Sequence, residues 1–198
     1  MKKLVIASSN PGKLREFQFL LQPLGIEVLT QSQLGIGEAE EPHPTFIENA
    51  LVKARHVSHL SGLPALADDS GICVTALDGA PGVLSARYAG DNPRSDQLNN
   101  EKLLHAMSGV KDRRAHYYCV LVLLHHAGDP QPLIAEGEWH GEIALQPAGD
   151  GGFGYDPLFW LPQLGKTSAQ LEREQKHAIS HRGKALRVLL EKLQVMQG

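Results

Sequence analysis

Two adjacent carboxylates, Asp68 and Asp69, stand between short apolar runs in Pro64-Ala-Leu-Ala-Asp-Asp-Ser-Gly-Ile-Cys-Val-Thr-Ala-Leu77. Neighbouring carboxylates repel when both are charged, so such a pair needs a base, a helix N-terminus or a metal close by. A polar turn in water would also accommodate them, and only the rest of the chain can decide. Glu40 and Glu41 add further oxygen ligands, while Lys13, Lys53, Lys176, His181 and Arg182 supply cations and donors. A set rich in carboxylates and poor in sulfur suits a hard divalent ion, Mg2+ or in its place Mn2+, which usually also binds substrate phosphates. Between Gly149 and Gly154 there are four glycines in six residues, accompanied by Phe153, Tyr155, Asp150 and Asp156. A flexible linker has no use for those aromatics, whereas a rigid loop meeting a flat ligand does. Pooled, these residues describe a site for a polyphosphate nucleotide, with Phe153 and Tyr155 available to stack on a base.

The elements that must position them follow from periodicity. Leu4–Ala7 reads as a buried strand, followed by the loop Ser8-Ser9-Asn10-Pro11-Gly12-Lys13 and a helix with Leu14, Phe17, Leu20, Leu21 and Leu24 inward. That arrangement aims backbone N–H groups and a helix dipole at an anion, although an ordinary strand-to-helix turn looks the same. It is not a Walker A loop, because the first glycine is absent and Leu14 follows the lysine. Gly25–Thr30 reads as a second strand. Thr45 and Glu48 form a capping box for a helix whose apolar face is Ile47, Ala50, Leu51, Ala54, Val57 and Leu60, with Asn49 and Lys53 on a neighbouring face. The Asp68-Asp69 pair is expected at a strand end or break, with Ser70-Gly71 turning.

Further on, the pattern predicts a helix from Asp96 as N-cap to Met107, with Leu98, Leu103, Leu104 and Met107 inward. Strands are expected at Arg114–His126, Leu133–Trp139, Glu142–Leu145 and Leu158–Leu161. A short helix over Thr167–Glu174, closed by Gln170, precedes a last helix from about Ala178 to Met196, with Ile179, Leu186, Leu189, Leu193 and Met196 inward. His177 and His181 are four apart, a zinc spacing, but the third ligand and the intervening glutamate of a metalloprotease motif are missing.

Composition sets outer bounds. The 198 residues, 42% hydrophobic and 21% charged, suit one domain, or a two-lobed one, with a real core. A net charge of -3 gives no global attraction to nucleic acid or an anionic membrane, so phosphate binding must be local. The two cysteines, Cys73 and Cys119, lie in apolar runs and read as reduced thiols. No stretch reaches membrane-spanning length and the N-terminus is a poor signal peptide, so a cytoplasmic location is expected.

Five stretches carry a resemblance: Ser8-Ser-Asn-Pro-Gly-Lys13, Glu40-Glu41 with Thr45-Phe-Ile-Glu-Asn-Ala50, Ala67-Asp-Asp-Ser-Gly71, the glycine-dense run from Gly149 to Pro157, and Ser180-His-Arg-Gly183. In this order and spacing the chain resembles the inosine triphosphate pyrophosphatase family, in its bacterial RdgB or Ham1-like form. Ser9 departs from the pattern, where the family commonly has glycine. The resemblance implies an α/β fold: a single domain, residues 1–198, whose long mixed sheet and flanking helices form two lobes around a central cleft. It further implies a Mg2+-dependent homodimer that hydrolyses non-canonical purine nucleotides (ITP, dITP, XTP, dXTP) to the monophosphate and pyrophosphate, cleansing the nucleotide pool.

By that resemblance Asp69 is metal ligand and proton acceptor, Asp68 its helper, and Glu40 or Glu41 a second ligand. Ser8, Ser9, Asn10, Pro11, Gly12, Lys13, Lys53 and Ser70 hold phosphates. Phe153 stacks on the base, Gly154, Tyr155 and Asp156 shape its slot, and Lys176, His181 and Arg182, or nearby backbone amides, read the purine 6-oxo group. Such donors reject adenine, whose amino group would leave them unpaired. Guanine keeps the oxo group and needs a separate penalty at its 2-amino position. The alternatives are a pyrophosphatase of broader or pyrimidine preference, and a non-catalytic nucleic-acid-binding module, against which the acidic charge and the lack of a basic, aromatic-laced stripe argue.

Overall fold

The computed structural model describes residues 3–21 and 25–195. Seven strands form one mixed sheet in the order β2-β1-β3-β4-β5-β6-β7: β1 Lys3–Ala7, β2 Glu27–Thr30, β3 Ala65–Val74, β4 Arg114–Leu124, β5 Leu133–Ile143, β6 Phe159–Leu161 and β7 Lys166–Thr167. The helices are α1 Pro11–Leu21, α2 Phe46–Ser61, α3 Asp96–Ala106, α4 Arg173–Ile179 and α5 His181–Val195. The α/β class read from the sequence is the fold observed. The chain divides into two compact units. One holds the residues up to Asp69, Cys119–Gly137 and the stretch from Arg182 onward; the other holds Ser70–Tyr118 and Glu138–His181.

In the first unit β1 pairs in parallel with both β2 and β3. Parallel neighbours need a crossover, and α1 and α2 are where the crossovers run. Leu4 and Ile6 of β1, Phe17 and Leu21 of α1, Leu66 of β3, Leu121 and Leu123 of β4 and Leu186 and Leu189 of α5 close one apolar core. Leu24 and Met196, and the side chain of Leu20, lie outside the described residues. α2 begins at Phe46 with Thr45 as N-cap, its hydroxyl accepting from the Glu48 amide and donating to the Glu48 carboxylate. Its inward face differs from expectation: Ile47 and Leu60 are exposed, while Asn49 and Ser58 are buried with Ala50, Ala54 and Val57. Polar side chains can take such positions because each has a backbone partner nearby, His43 for Asn49 and Leu63 for Ser58.

The second unit pairs β6 antiparallel with β5 and with β7, a two-residue strand the sequence pattern did not suggest. Its core is Ile72, Val74, Leu103, Met107, Tyr117, Trp139, Tyr155 and Phe159. Glu142-Ile143 is no separate strand but the end of β5. The N-cap of α3 is Ser95, whose hydroxyl accepts from Leu98 N, and not Asp96; Leu98 itself is exposed. Thr167 and Gln170 do close a capping box, but on a 3-10 turn that ends at Gln170. The last helix is broken too. Ser180 is extended (φ -69°, ψ 160°) between α4 and α5, a conformation suited to the start of a new helix. His177 and His181 therefore lie on different helices, and the four-residue zinc spacing has no helical meaning.

Candidate active site

The acids do not sit at a strand break. β3 runs through Asp68, Asp69 and Ser70 without interruption. Successive side chains of a strand point to opposite faces, so adjacent carboxylates are separated by the sheet itself. Their partners follow suit: Asp68 meets α1 and α5, while Asp69 meets α2. Their mutual repulsion is relieved by that alternation and by the cations that meet each acid.

Asp68 is enclosed. Lys13 of α1 pairs with Oδ1, and Arg182 Nε of α5 donates to Oδ2 at 2.9 Å. The Cys119 thiol donates to the same Oδ2 at 3.1 Å. Arg182 is only 2% exposed and also pairs with buried Glu16. Burial alone would raise the Asp68 pKa, but Arg182 and Lys13 reverse it and hold the carboxyl well below its ordinary range. Burial and the neighbouring Asp68 push the Cys119 thiol up, so it stays a proton donor. Arg182, expected to touch a base, has its Nε and one terminal nitrogen engaged within this network.

Asp69 is set differently. Lys53 Nζ bonds Asp69 Oδ1 at 2.7 Å and Glu41 Oε1 at 2.7 Å, bridging the two acids. Burial, only partly offset by Lys53, raises the Asp69 pKa. Burial would lower the Lys53 pKa, yet Asp69 and Glu41 hold it up as a cation. Asp69 Oδ2 is buried and has no hydrogen-bond partner. A buried carboxylate oxygen without a donor is costly unless something cationic meets it. Of the two candidate glutamates, Glu41 shares Lys53 with Asp69, whereas Glu40 is exposed.

The loop before α1 is organised by Asn10, whose Oδ1 accepts from Gly12 N (2.9 Å) and Lys13 N (3.1 Å). Asn10 N in turn donates to Ser8 Oγ at 3.2 Å. Amides expected to face an anion are thus committed to local caps, and the cation at this loop is Lys13. Ser9, the departure from the family pattern, donates its hydroxyl to Glu38. Pro11 opens the helix, a position that needs no N–H.

In the second unit Asp156 gathers Lys176 Nζ (2.5 Å), Ser168 Oγ (2.5 Å) and Phe153 N (2.8 Å). Lys176 lies 5.1 Å from the Phe153 ring centroid, a cation–π contact. Gly152 has a φ of +77°, and a Cβ there would collide with the Asp156 carboxylate. Tyr155 faces inward: it is buried and its hydroxyl donates to Ser85 O at 2.9 Å, so it supports the loop from within. His181 stacks on Tyr117 with centroids 4.6 Å apart. Ser70 is half-buried in β3.

Some contributors belonged to no recognisable motif. Asp96 Oδ2 accepts from Gly154 N (2.7 Å) and Asn100 Nδ2 donates to Gly154 O (2.8 Å), so one turn of α3 grips the peptide next to Phe153. Glu16 and Cys119 join the Asp68 network. The only sequence signal for the α3 pair is two polar residues four apart on one helix, which any solvated face shows. Glu16 and Cys119 gave none.

The carboxylates of Glu16, Glu41, Asp68 and Asp69 outnumber the cations Lys13, Lys53 and Arg182 around β3. A metal ion beside such a group would ease the approach of a polyphosphate. Among the described residues no three His, Cys, Asp or Glu gather to hold a metal by themselves.

Residues 4–192 match the Ham1 family. A dITP/XTP pyrophosphatase of Nitrosomonas europaea is 66% identical, covering 98% of this chain and 95% of that protein. One from Ralstonia nicotianae is 61% identical over 100% of this chain and 99% of its own. The solved structure of a HAM1 protein from Coxiella burnetii superposes with a TM-score of 0.90 at 47% identity, covering 98% of this chain and 99% of that one.

Proposed function

The chain belongs to the Ham1 family, and from that premise we propose that it is a nucleoside triphosphate pyrophosphatase acting on non-canonical purine nucleotides, dITP/ITP and XTP/dXTP. The observation that carries the mechanism is the buried, unpartnered Asp69 Oδ2 beside Glu41, with Lys53 between the two acids. The donor set fits a divalent cation, Mg2+ or Mn2+, held by Asp69 and Glu41 with Glu40 adjacent. When bound, that ion draws charge from the phosphates and the leaving pyrophosphate.

The chain's own residues do the rest. Asp69, its pKa raised by burial, takes the proton of a water attacking the α-phosphorus. A new P–O bond forms as the bond to the β-phosphate oxygen breaks, and pyrophosphate departs with the electron pair. Lys53 and Lys13 supply positive charge to the phosphates, with Ser8, Ser9, Asn10, Pro11, Gly12 and Ser70 shaping the space. Asp68, anionic and enclosed, fixes Lys13. Phe153 offers its face to the base, and Lys176, aligned by Asp156, donates to the 6-oxo group. His181 completes the wall at Tyr117. Arg182 serves this reading by holding Asp68. Both units belong to one functional domain, and the active species is a cytoplasmic homodimer, testable by light scattering and fractionation.

The deciding experiment is a panel of dITP, XTP, dATP, dGTP, dTTP and UTP with identification of products. Fast release of pyrophosphate from dITP and XTP, with far slower release from the others, is expected. Equal rates across the panel would remove the purine specificity. Orthophosphate as the product would remove the assigned bond.

A further inference from the structure

Residues 37–43 carry Glu38, Glu40 and Glu41 yet form neither helix nor strand. With no ladder of its own, the segment is held in place in part by side-chain contacts. Three side chains of one helix reach it. Asn49 accepts from His43 N at 3.0 Å and donates to His43 O at 3.0 Å. Lys53 bonds Glu41. His56 Nε2 lies 3.1 Å from Gly37 O, a contact in which the ring nitrogen donates. Spacings of four and three put Asn49, Lys53 and His56 on one face of α2. The loop runs back along that face, His43, Glu41, Gly37, as the helix runs forward.

We propose that Asn49 and His56 are positioning residues, which with Lys53 strap residues 37–43 along α2 and so hold Glu41 opposite Asp69 for a divalent cation. Asn49 is the tighter anchor, being 1% exposed and engaged by both its oxygen and its nitrogen. The inference rests on the pyrophosphatase reading only where it concerns turnover.

Full-length Asn49→Ala, Asn49→Asp and His56→Ala would be compared with the parent in three measurements: amide exchange over residues 37–43, binding of Mn2+ alone by electron paramagnetic resonance titration, and the Mg2+ dependence of dITP turnover. Asn49→Ala should speed His43 amide exchange and weaken Mn2+ binding, each about five- to tenfold, with the half-saturating Mg2+ rising in parallel. Asn49→Asp keeps the acceptor for His43 N but loses the donor to His43 O, and should fall between parent and Asn49→Ala. His56→Ala, from the half-buried end of the stripe, should give about a two- to threefold change and covers the case in which Asn49→Ala does not fold. Unchanged exchange and Mn2+ affinity would overturn the inference. So would a lower Tm with unchanged Mn2+ affinity, or a parent chain that does not bind Mn2+. Weakened Mn2+ binding in variants of a parent that turns over no nucleotide would instead leave the strap standing and remove the pyrophosphatase reading.

Discussion

Arg182→Met tests the enclosure of Asp68. The guanidinium is 2% exposed, donates to Asp68 Oδ2 at 2.9 Å and pairs with Glu16. Methionine fills much of the volume but leaves Glu16 without that cation and Asp68 with Lys13 as its charged partner. Removing one member of a buried charge group costs about 3–5 kcal/mol. Against a total stability of about 5–15 kcal/mol, and at about 2–4 °C per kcal/mol for a chain of this size, the Tm at pH 7 should fall by roughly 6–20 °C. The pH dependence has a definite sign. The depressed Asp68 pKa contributes stability that is fully present above the unfolded value near 4 and is lost as pH falls through the lower folded value. In the variant that contribution is gone, and the buried carboxylates can relieve their penalty by protonation. The gap between parent and variant should therefore narrow on acidification, chiefly as pH falls below about 4. Differential scanning calorimetry at several pH values reads this directly. Arg182→Met with Glu16→Gln should recover part of the loss, because one buried charge is then removed. A shift below about 3 °C at pH 7, or a gap that widens on acidification, would refute the argument.

Asp69→Asn should abolish pyrophosphate release while circular dichroism stays that of the parent; substantial residual turnover would mean that another group takes the proton. Phe153→Ala should raise KM about five- to 150-fold with a smaller change in kcat, measured by steady-state kinetics on dITP, since a stacked base is worth about 1–3 kcal/mol. Gly152→Ala should raise KM in the same direction, because its Cβ displaces the Asp156 carboxylate that aligns Lys176; a kcat-only effect would count against that route.

β1, the start of α2 and the apolar strand at Tyr117–Leu124 were legible because each is a local pattern, an apolar run, a capping residue, a period, while the α/β class came with the family resemblance. The five motifs also hold residues the structure engages in charged contacts, Lys13, Glu41, Asp68, Asp69, Asp156 and Arg182, while Lys53 and Lys176 stood out as cations beyond those motifs. What the pattern misread was decided at long range. Asp68-Asp69 looked like a turn because the cations that allow a strand to continue there come from positions 13, 53 and 182. Ile47, Leu60 and Leu98 were assigned inward by period alone, although period fixes which residues share a stripe and not what covers it. Ser95 and Asp96 compete for one cap, and the distant Gly154 amide engages the second of them. The single last helix failed at Ser180, a residue that either continues a helix or starts one.

Because consecutive positions of β3 look out on opposite sides, the identities of Asp68 and Asp69 are addresses as much as chemistries. Inserting one residue between Ala65 and Asp68 would turn both to the wrong side: Asp68 would take the place facing Lys53, and Asp69 would turn to the face of Arg182 but two positions beyond the place Asp68 held. No second substitution on the same strand could repair this, since each step of the pleat reverses both at once. The segment should tolerate changes of side-chain size far better than changes of length.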